Sequence, residues 1–231
     1  VAATGNKYTG DVSYTRTGGT ITVAAGDINE ITQNLTLNST IGIGLGRIKF
    51  TGATNGVIEQ EGIQPIDIAQ LSLEKSGSAT VTLNDSVSVS TTAIFTSGYL
   101  FSSSTNKLKF LNNATNSGAS DASFVVGPVT KIGNDAFTFP IGKNNTYAPI
   151  SITAPAVSTD AFRAQYFNTN AHDAGYDSSQ YDPSLNHISR KEYWLLDRTN
   201  GTATPKVTLA WKTIRSGIVN VLPDLRVSRW D

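Results

Sequence analysis

An all-β fold, a right-handed parallel β-solenoid followed by an antiparallel β-sandwich, is what this sequence predicts. Three observations predict it. Apolar residues alternate with polar ones at period two in many short pieces, no segment carries a 3.6-residue period, and the texture of the strands changes near Ser123. Composition agrees: only 16% of the 231 residues are charged, against about a quarter in ordinary domains, and Thr, Ser, Asn and 20 Gly fill the difference. Small, uncharged and β-branched residues suit strands and turns, whereas a helical enzyme would be richer in Leu, Ala, Glu and Lys.

Residues 1–122 are assigned to the solenoid stalk, with cap strands at its amino-terminal end. The pieces run in order: Ile21-Thr-Val23, Leu35-Thr-Leu37, Ile41-Gly-Ile43, Ile48-Lys-Phe50, Ile66-Asp-Ile68, Leu71-Ser-Leu73, Val81-Thr-Leu83, Val87-Ser-Val89 and Leu108-Lys-Phe110. Each puts an apolar pair on one face. Such strands are too short to close a barrel, and two-residue hairpin turns are scarce between them. Winding them into successive coils stacks Leu on Leu and Ile on Ile, with Thr and Ser outside, and each coil then touches only its neighbours. No strict period emerges.

Residues 123–231 are assigned to the sandwich, cut short at its carboxy-terminal end. Seven longer, more aromatic runs lie at 124–129, 136–141, 147–153, 162–167, 192–198, 206–212 and 225–230, separated by Gly, Pro, Asn or Asp turns. Between them, 168–189 reads as a long polar loop that holds both His residues and has room for one helical turn.

Charge and sulfur exclude several functions. Lys+Arg and Asp+Glu are 18 each, and the two halves carry seven against nine and eleven against nine, so neither has the field of a nucleic-acid binder. With no Cys, there is no disulfide framework, thiolate metal site or Cys nucleophile, which suits export through an oxidising compartment. No apolar run approaches the roughly 18 residues of a spanning helix, so no membrane insertion is expected. Met is absent even at the first position, so Val1 is expected to follow a processing event, such as signal-peptide cleavage, or a fragment boundary.

A family resemblance rests on ordered motifs. Ser123-Phe-Val-Val-Gly-Pro-Val129, Lys131-Ile-Gly133, Phe137-Thr-Phe-Pro-Ile-Gly142 and Tyr147-Ala-Pro-Ile150 are followed by Glu192-Tyr-Trp-Leu-Leu-Asp-Arg198, Val207-Thr-Leu-Ala-Trp211 and Leu225-Arg-Val-Ser-Arg-Trp230. The series resembles a module of large secreted surface proteins of Bacteroidota, and the preceding coils resemble the repetitive adhesin-like stalks found before it. The resemblance implies an extracellular, cell-surface protein exported by type IX secretion. Such proteins also continue past the Trp-Asp pair, so Asp231 is not expected to be a natural end.

Each candidate for chemistry has a plainer reading beside it. Gly42, Gly44 and Gly46 before Arg47 have the wrong spacing for a dinucleotide cradle and a strand instead of a helix after them, so they read as coil-turn glycines. Glu59 and Glu61 share a strand face and could serve glycoside hydrolysis, or bind Ca²⁺ with Asp67, but they read first as solvated surface carboxylates. Arg47, Lys49, Glu74, Lys75 and Asp85 are too scattered to form the single-face cluster of a polysaccharide-cleaving β-helix. Gly118-Ala-Ser120-Asp-Ala122 is one residue short of a nucleophile elbow. His172 and His187 share their loop with Asp173, Asp177 and Asp182, which are candidates for Ca²⁺, although Asp-rich turns are ordinary. Tyr166, Tyr176, Tyr181, Tyr193, Trp194 and Trp211 are candidates for stacking on glycans, Tyr176, Tyr181 and Trp194 foremost, while alternation within Tyr193-Trp194 sends one of the two rings to the core. Ser86, in Asp85-Ser86-Val87, matches the Bacteroidota O-glycosylation pattern. Asn34 and Asn113 read as Asn-rich turns.

The sequence therefore predicts a non-catalytic structural and adhesive surface protein without an obligatory cofactor. Its expected partners are neighbouring copies, other surface proteins or glycans. A carbohydrate-active β-helix enzyme and a glycan-binding module are the alternatives.

Overall fold

The computed structural model describes residues 5–18, 27–39, 43–63, 65–177, 179–217 and 221–230. The expected Ile21-Thr-Val23 strand and the start of Ile41-Gly-Ile43 lie outside these residues. The chain is all-β and winds as a parallel β-solenoid of about five turns, followed by antiparallel strands.

Three parallel ladders run along it. One joins 43–45, 66–68, 87–89, 108–110 and 129–131. The second joins Lys7–Tyr8, Ile28–Ile31, 47–52, 70–75, 92–97 and Thr115–Ser117. The third joins Val12–Arg16, Leu35–Ser39, Gly56–Gln60, Thr80–Leu83, 98–101, Ser123–Val126 and Ile141–Lys143. In all three, alternate residues point inward, so identical register stacks like on like. Ile66, Val87, Leu108 and Val129 form one inward column, and Ile31, Phe50, Leu73 and Phe95 form another. All belong to one continuous core.

Polar side chains hold the corners. Asp11 Oδ1 accepts from the Asn34 amide, and Asn34 Oδ1 accepts from the Val57 amide one coil further, at 3.2 and 2.9 Å. Each side-chain oxygen satisfies a backbone donor that the turn leaves unpaired. Two lysines point inward. Lys75 Nζ donates to Thr32 O and Thr51 O at 2.9 and 2.6 Å, reaching carbonyls of two earlier coils. Lys131 follows Phe110 in an inward column, and its Nζ donates to Leu111 O and Ala114 O and pairs with Asp135 at 2.7 Å.

The parallel ladders cross residue 122, where a boundary was expected. Ser123–Val126 lies on 98–101, and Val129–Ile132 lies on Leu108–Phe110. The reversal comes at Asn144 and Asn145, both at positive φ (52° and 56°), the two-residue turn geometry that Asn tolerates better than most residues. From there the strands expected to form a sandwich run antiparallel, some onto ladder strands and others, with Phe137–Phe139, into a separate three-stranded sheet. Thr146–Tyr147 pairs with Ile141–Lys143, Ile150–Ile152 with Phe137–Phe139, and Ala161–Phe167 with Val129–Ile132. Tyr193–Asn200 then adds to Ala161–Phe167, and Val207–Leu209 adds to Ile150–Ile152. These strands cap the stack. Residues 225–230, expected as a strand, join no sheet.

Candidate functional site

The carboxylates on the third ladder are tied into the stack. Glu59 accepts from Thr36 Oγ1 at 3.0 Å and from Asn84 Nδ2 at 3.3 Å, while Glu61 accepts from Asn38 Nδ2 at 3.2 Å. Asp85 Oδ2 accepts from the Gln60 amide at 2.8 Å. Asp67 lies on the first ladder opposite Gly44 and Ser88, away from that row. Ser86 Oγ donates to Thr105 O and accepts from the Lys107 amide, both at 3.1 Å, so the candidate glycan acceptor is engaged on both sides. Gly44 and Gly46 lie inside the strand Ile43–Gly52, which corrects their reading as turn residues.

On the second ladder, opposite charges run along the axis. Glu30 lies 3.4 Å from Lys7 and 3.8 Å from Lys49, and Lys49 pairs again with Glu74. Arg47 donates to Gln70 at 3.1 Å, and Thr115 Oγ1 donates to Thr92 Oγ1 at 3.2 Å.

Among its described residues the long loop contains one 3₁₀ turn, Ala171–Ala174, capped by Asn170. His172 and His187 are exposed. Asp177 Oδ1 takes both the amide and hydroxyl of Ser179, at 2.9 and 2.6 Å, and Asp182 Oδ1 takes the Ser184 amide at 2.8 Å. Those serine donors hold both carboxyl groups below the usual carboxylate range. With Asp173 they form no common centre, and no group of three or more metal-ligating side chains occurs among the described residues.

The aromatic candidates divide. Trp194 faces the core side of the cap, and its Nε1 donates to Ala148 O at 2.8 Å. Tyr181 is 41% exposed, and its hydroxyl donates to Asn186 O. Tyr176 tilts against Tyr193 and meets Trp230 edge-on. Phe167 and Tyr193 stack with ring planes 3° apart and centroids at 4.7 Å, so each covers a face that a sugar would need.

Two cap features have no sequence signature. Beneath Trp194, Arg215 Nε lies 2.7 Å from Glu192 Oε2, with both side chains 2% exposed. Arg215 also donates to Tyr147 O and Ala210 O, and its guanidinium lies over the Tyr166 and Trp194 rings. Tyr166 donates to the same Glu192 oxygen at 2.8 Å; burial, and next the Glu192 carboxylate, push its phenol well above the ordinary value. On the outer side, Arg163 and Asp197 pair at 2.6 Å beside Leu195 and Gln165, lining a hollow of about 120 Å³. That is below the several hundred Å³ of typical ligand pockets. This outer cap surface is the candidate site, with the edge of Tyr193–Asn200 that pairs with no strand among the described residues along it.

These features define a capped parallel β-solenoid. Comparison with protein-family models, curated proteins and solved structures found no match. No helix of the described residues is long and apolar enough to cross a membrane.

Proposed function

We propose that the chain is a non-catalytic structural and adhesive element of a secreted Bacteroidota surface protein: a right-handed, stiff spacer that presents contact surfaces. One observation carries this reading. The outward polar side chains are engaged with the coil above or below, as in Thr36–Glu59–Asn84, Arg47–Gln70 and Thr92–Thr115, and do not converge on a cleft. Such axial bonding stiffens the stack and leaves an almost neutral, hydrophilic exterior suited to a spacer.

Glycan-array binding combined with a polysaccharide cleavage screen tests it. Binding to glycans or surface proteins without cleavage is expected. Release of new reducing ends or unsaturated sugars from any polysaccharide would replace this reading with that of a β-helix enzyme.

A further inference from the structure

The strand Tyr193–Asn200 pairs along its length with Ala161–Phe167, and its other edge has no partner strand among the described residues. Such an edge carries a row of unpaired amides and carbonyls, ready to template another strand. The same chain holds a segment in the complementary condition. Residues 225–230 join no sheet, yet Leu225, Val227 and Trp230 are 42%, 59% and 50% exposed.

We propose that this edge takes the 225–230 segment of a second copy of the chain as an added antiparallel strand. Side-chain chemistry sets the register. Trp194 and Leu196 pack toward the core, whereas Tyr193, Leu195 and Asp197 lie on the outer face with Arg163, Gln165 and Phe167. Placing Arg226 opposite Asp197 puts Val227 opposite Leu196 and Leu225 opposite Arg198, extending the inner apolar face. It also puts Ser228 opposite Leu195 and Trp230 beside Tyr193. Asp197 bonds Arg163 through Oδ2 alone, which leaves Oδ1 for the incoming guanidinium. Arg229 falls opposite Trp194, an indole that already accepts the Arg215 guanidinium at 5.6 Å. A slip of one residue turns Leu225 and Val227 outward and takes Arg226 away from Asp197, so this register is selected.

The occupant is a second copy because within one chain the segment lies beside the cap, with Tyr176 between Trp230 and Tyr193, yet does not pair with the edge. The segment meets its own cap through the ring contact of Trp230 with Tyr176, and Arg226 turns back onto Pro223 O and Leu225 O. Reciprocal exchange between two copies fills two edges at once and closes the assembly.

The absence of native Cys makes the test direct. In the register above, Leu195→Cys and Ser228→Cys face one another across the new pair, so the double variant is expected to oxidise to a covalent dimer on a non-reducing gel. Leu195→Cys with Val227→Cys, on opposite faces, is expected to stay uncrosslinked. A disulfide within one chain, or free thiols at high concentration, overturns the proposal. Light scattering of the unaltered chain should show a concentration-dependent dimer. Asp197→Arg should weaken it about tenfold or more, and adding Arg226→Asp should restore it. A monomer at every concentration, or failure of the charge swap to restore association, also counts against it.

Discussion

In the parallel stack, inward columns repeat: Ile66, Val87 and Leu108 lie over one another, as do Phe50, Leu73 and Phe95. In the cap, Trp194, Tyr166, Arg215 and Glu192 form a single cluster packed against one another. Translation along an axis places like beside like, which favours apolar and amide side chains and penalises a buried charge stacked on its own kind. On the outside of the second ladder, charge alternates in sign through Lys7, Glu30, Lys49 and Glu74. Reversing the chain at Asn144 and Asn145 ends the translation, and one-off complementary contacts become available. The stack is thus held by many small equivalent terms, and the cap by a few large ones.

Removing one of the large terms should have the greatest effect. Arg215→Ala leaves the Glu192 carboxylate buried beside a phenol with no cation, at a cost of about 3–5 kcal/mol. Hydrogen exchange is the measurement that sharpens the comparison. Amides of Ala161–Phe167 and Tyr193–Asn200 should lose protection while those of Ile66–Lys75 keep theirs. Equal loss in both would mean that stack and cap open as one unit.

Lys75 is the nearest equivalent within the stack. Its ammonium is held by two carbonyls without a carboxylate, and burial lowers its pKa. Lys75→Ala leaves a cavity and two unsatisfied carbonyls, for a loss of about 3 kcal/mol or more by chemical denaturation. Lys75→Met restores the volume but not the donors and should recover roughly half of that loss. The pH dependence has a definite sign. Because the folded pKa lies below the ordinary 10.5, the cost of burying the charge is fully present below that folded value. It fades as pH rises from the folded value toward 10.5, so the advantage of wild type over Lys75→Met should widen there.

The two lysines also show what the sequence could and could not convey. Period-two apolar pairs located strands such as Leu35–Ser39, Ile66–Lys75 and Leu108–Phe110, because inward alternation is a local property, but not Val12–Arg16, Ile28–Ile31, Gly56–Gln60 or Thr115–Ser117. The coil length was not legible, since register offsets range from 16 to 25 residues. In Val129-Thr-Lys131-Ile, alternation alone does not mark Lys131 as inward, because its acceptors, Leu111 O and Ala114 O, belong to the coil before. The aromatic texture after Ser123 suggested a second domain, but a parallel ladder depends on register and facing, and Phe124 and Val125 continue it. Asn144-Asn145 carried the true reversal in plain view. Glu192 and Arg215 offered no signal: they lie on separate elements, and only the cap's return path brings them together.

Ser123 marks the point where expectation and fold diverged most. Its side chain is fully buried, and its Oγ has no partner. Ser123→Ala should therefore stabilise the protein by up to about 1 kcal/mol, read as a raised denaturation midpoint. At an exposed interdomain linker the same change would be silent, so a null result would favour the two-domain division.

The smallest effect is expected at Asp121, which joins the last stack loop to the cap. It accepts from Lys212 Nζ and the Tyr147 amide, both at 2.8 Å, and these donors lower its pKa, the Lys212 contact most. A depressed carboxyl pKa contributes stability that is present above its unfolded value, near 3.8, and is lost as pH falls through the folded one. Both side chains are about half exposed, so solvent screens the pair and the contribution is small. Asp121→Asn should therefore leave stability at pH 7 close to that of wild type and flatten the acid limb below about pH 4. The flattening should appear in cap probes, such as Trp194 fluorescence, before it appears in the exchange of stack amides. If the acid limb is unchanged, the loop-to-cap link is only a surface contact, and the cap is held by Glu192 and Arg215 without it.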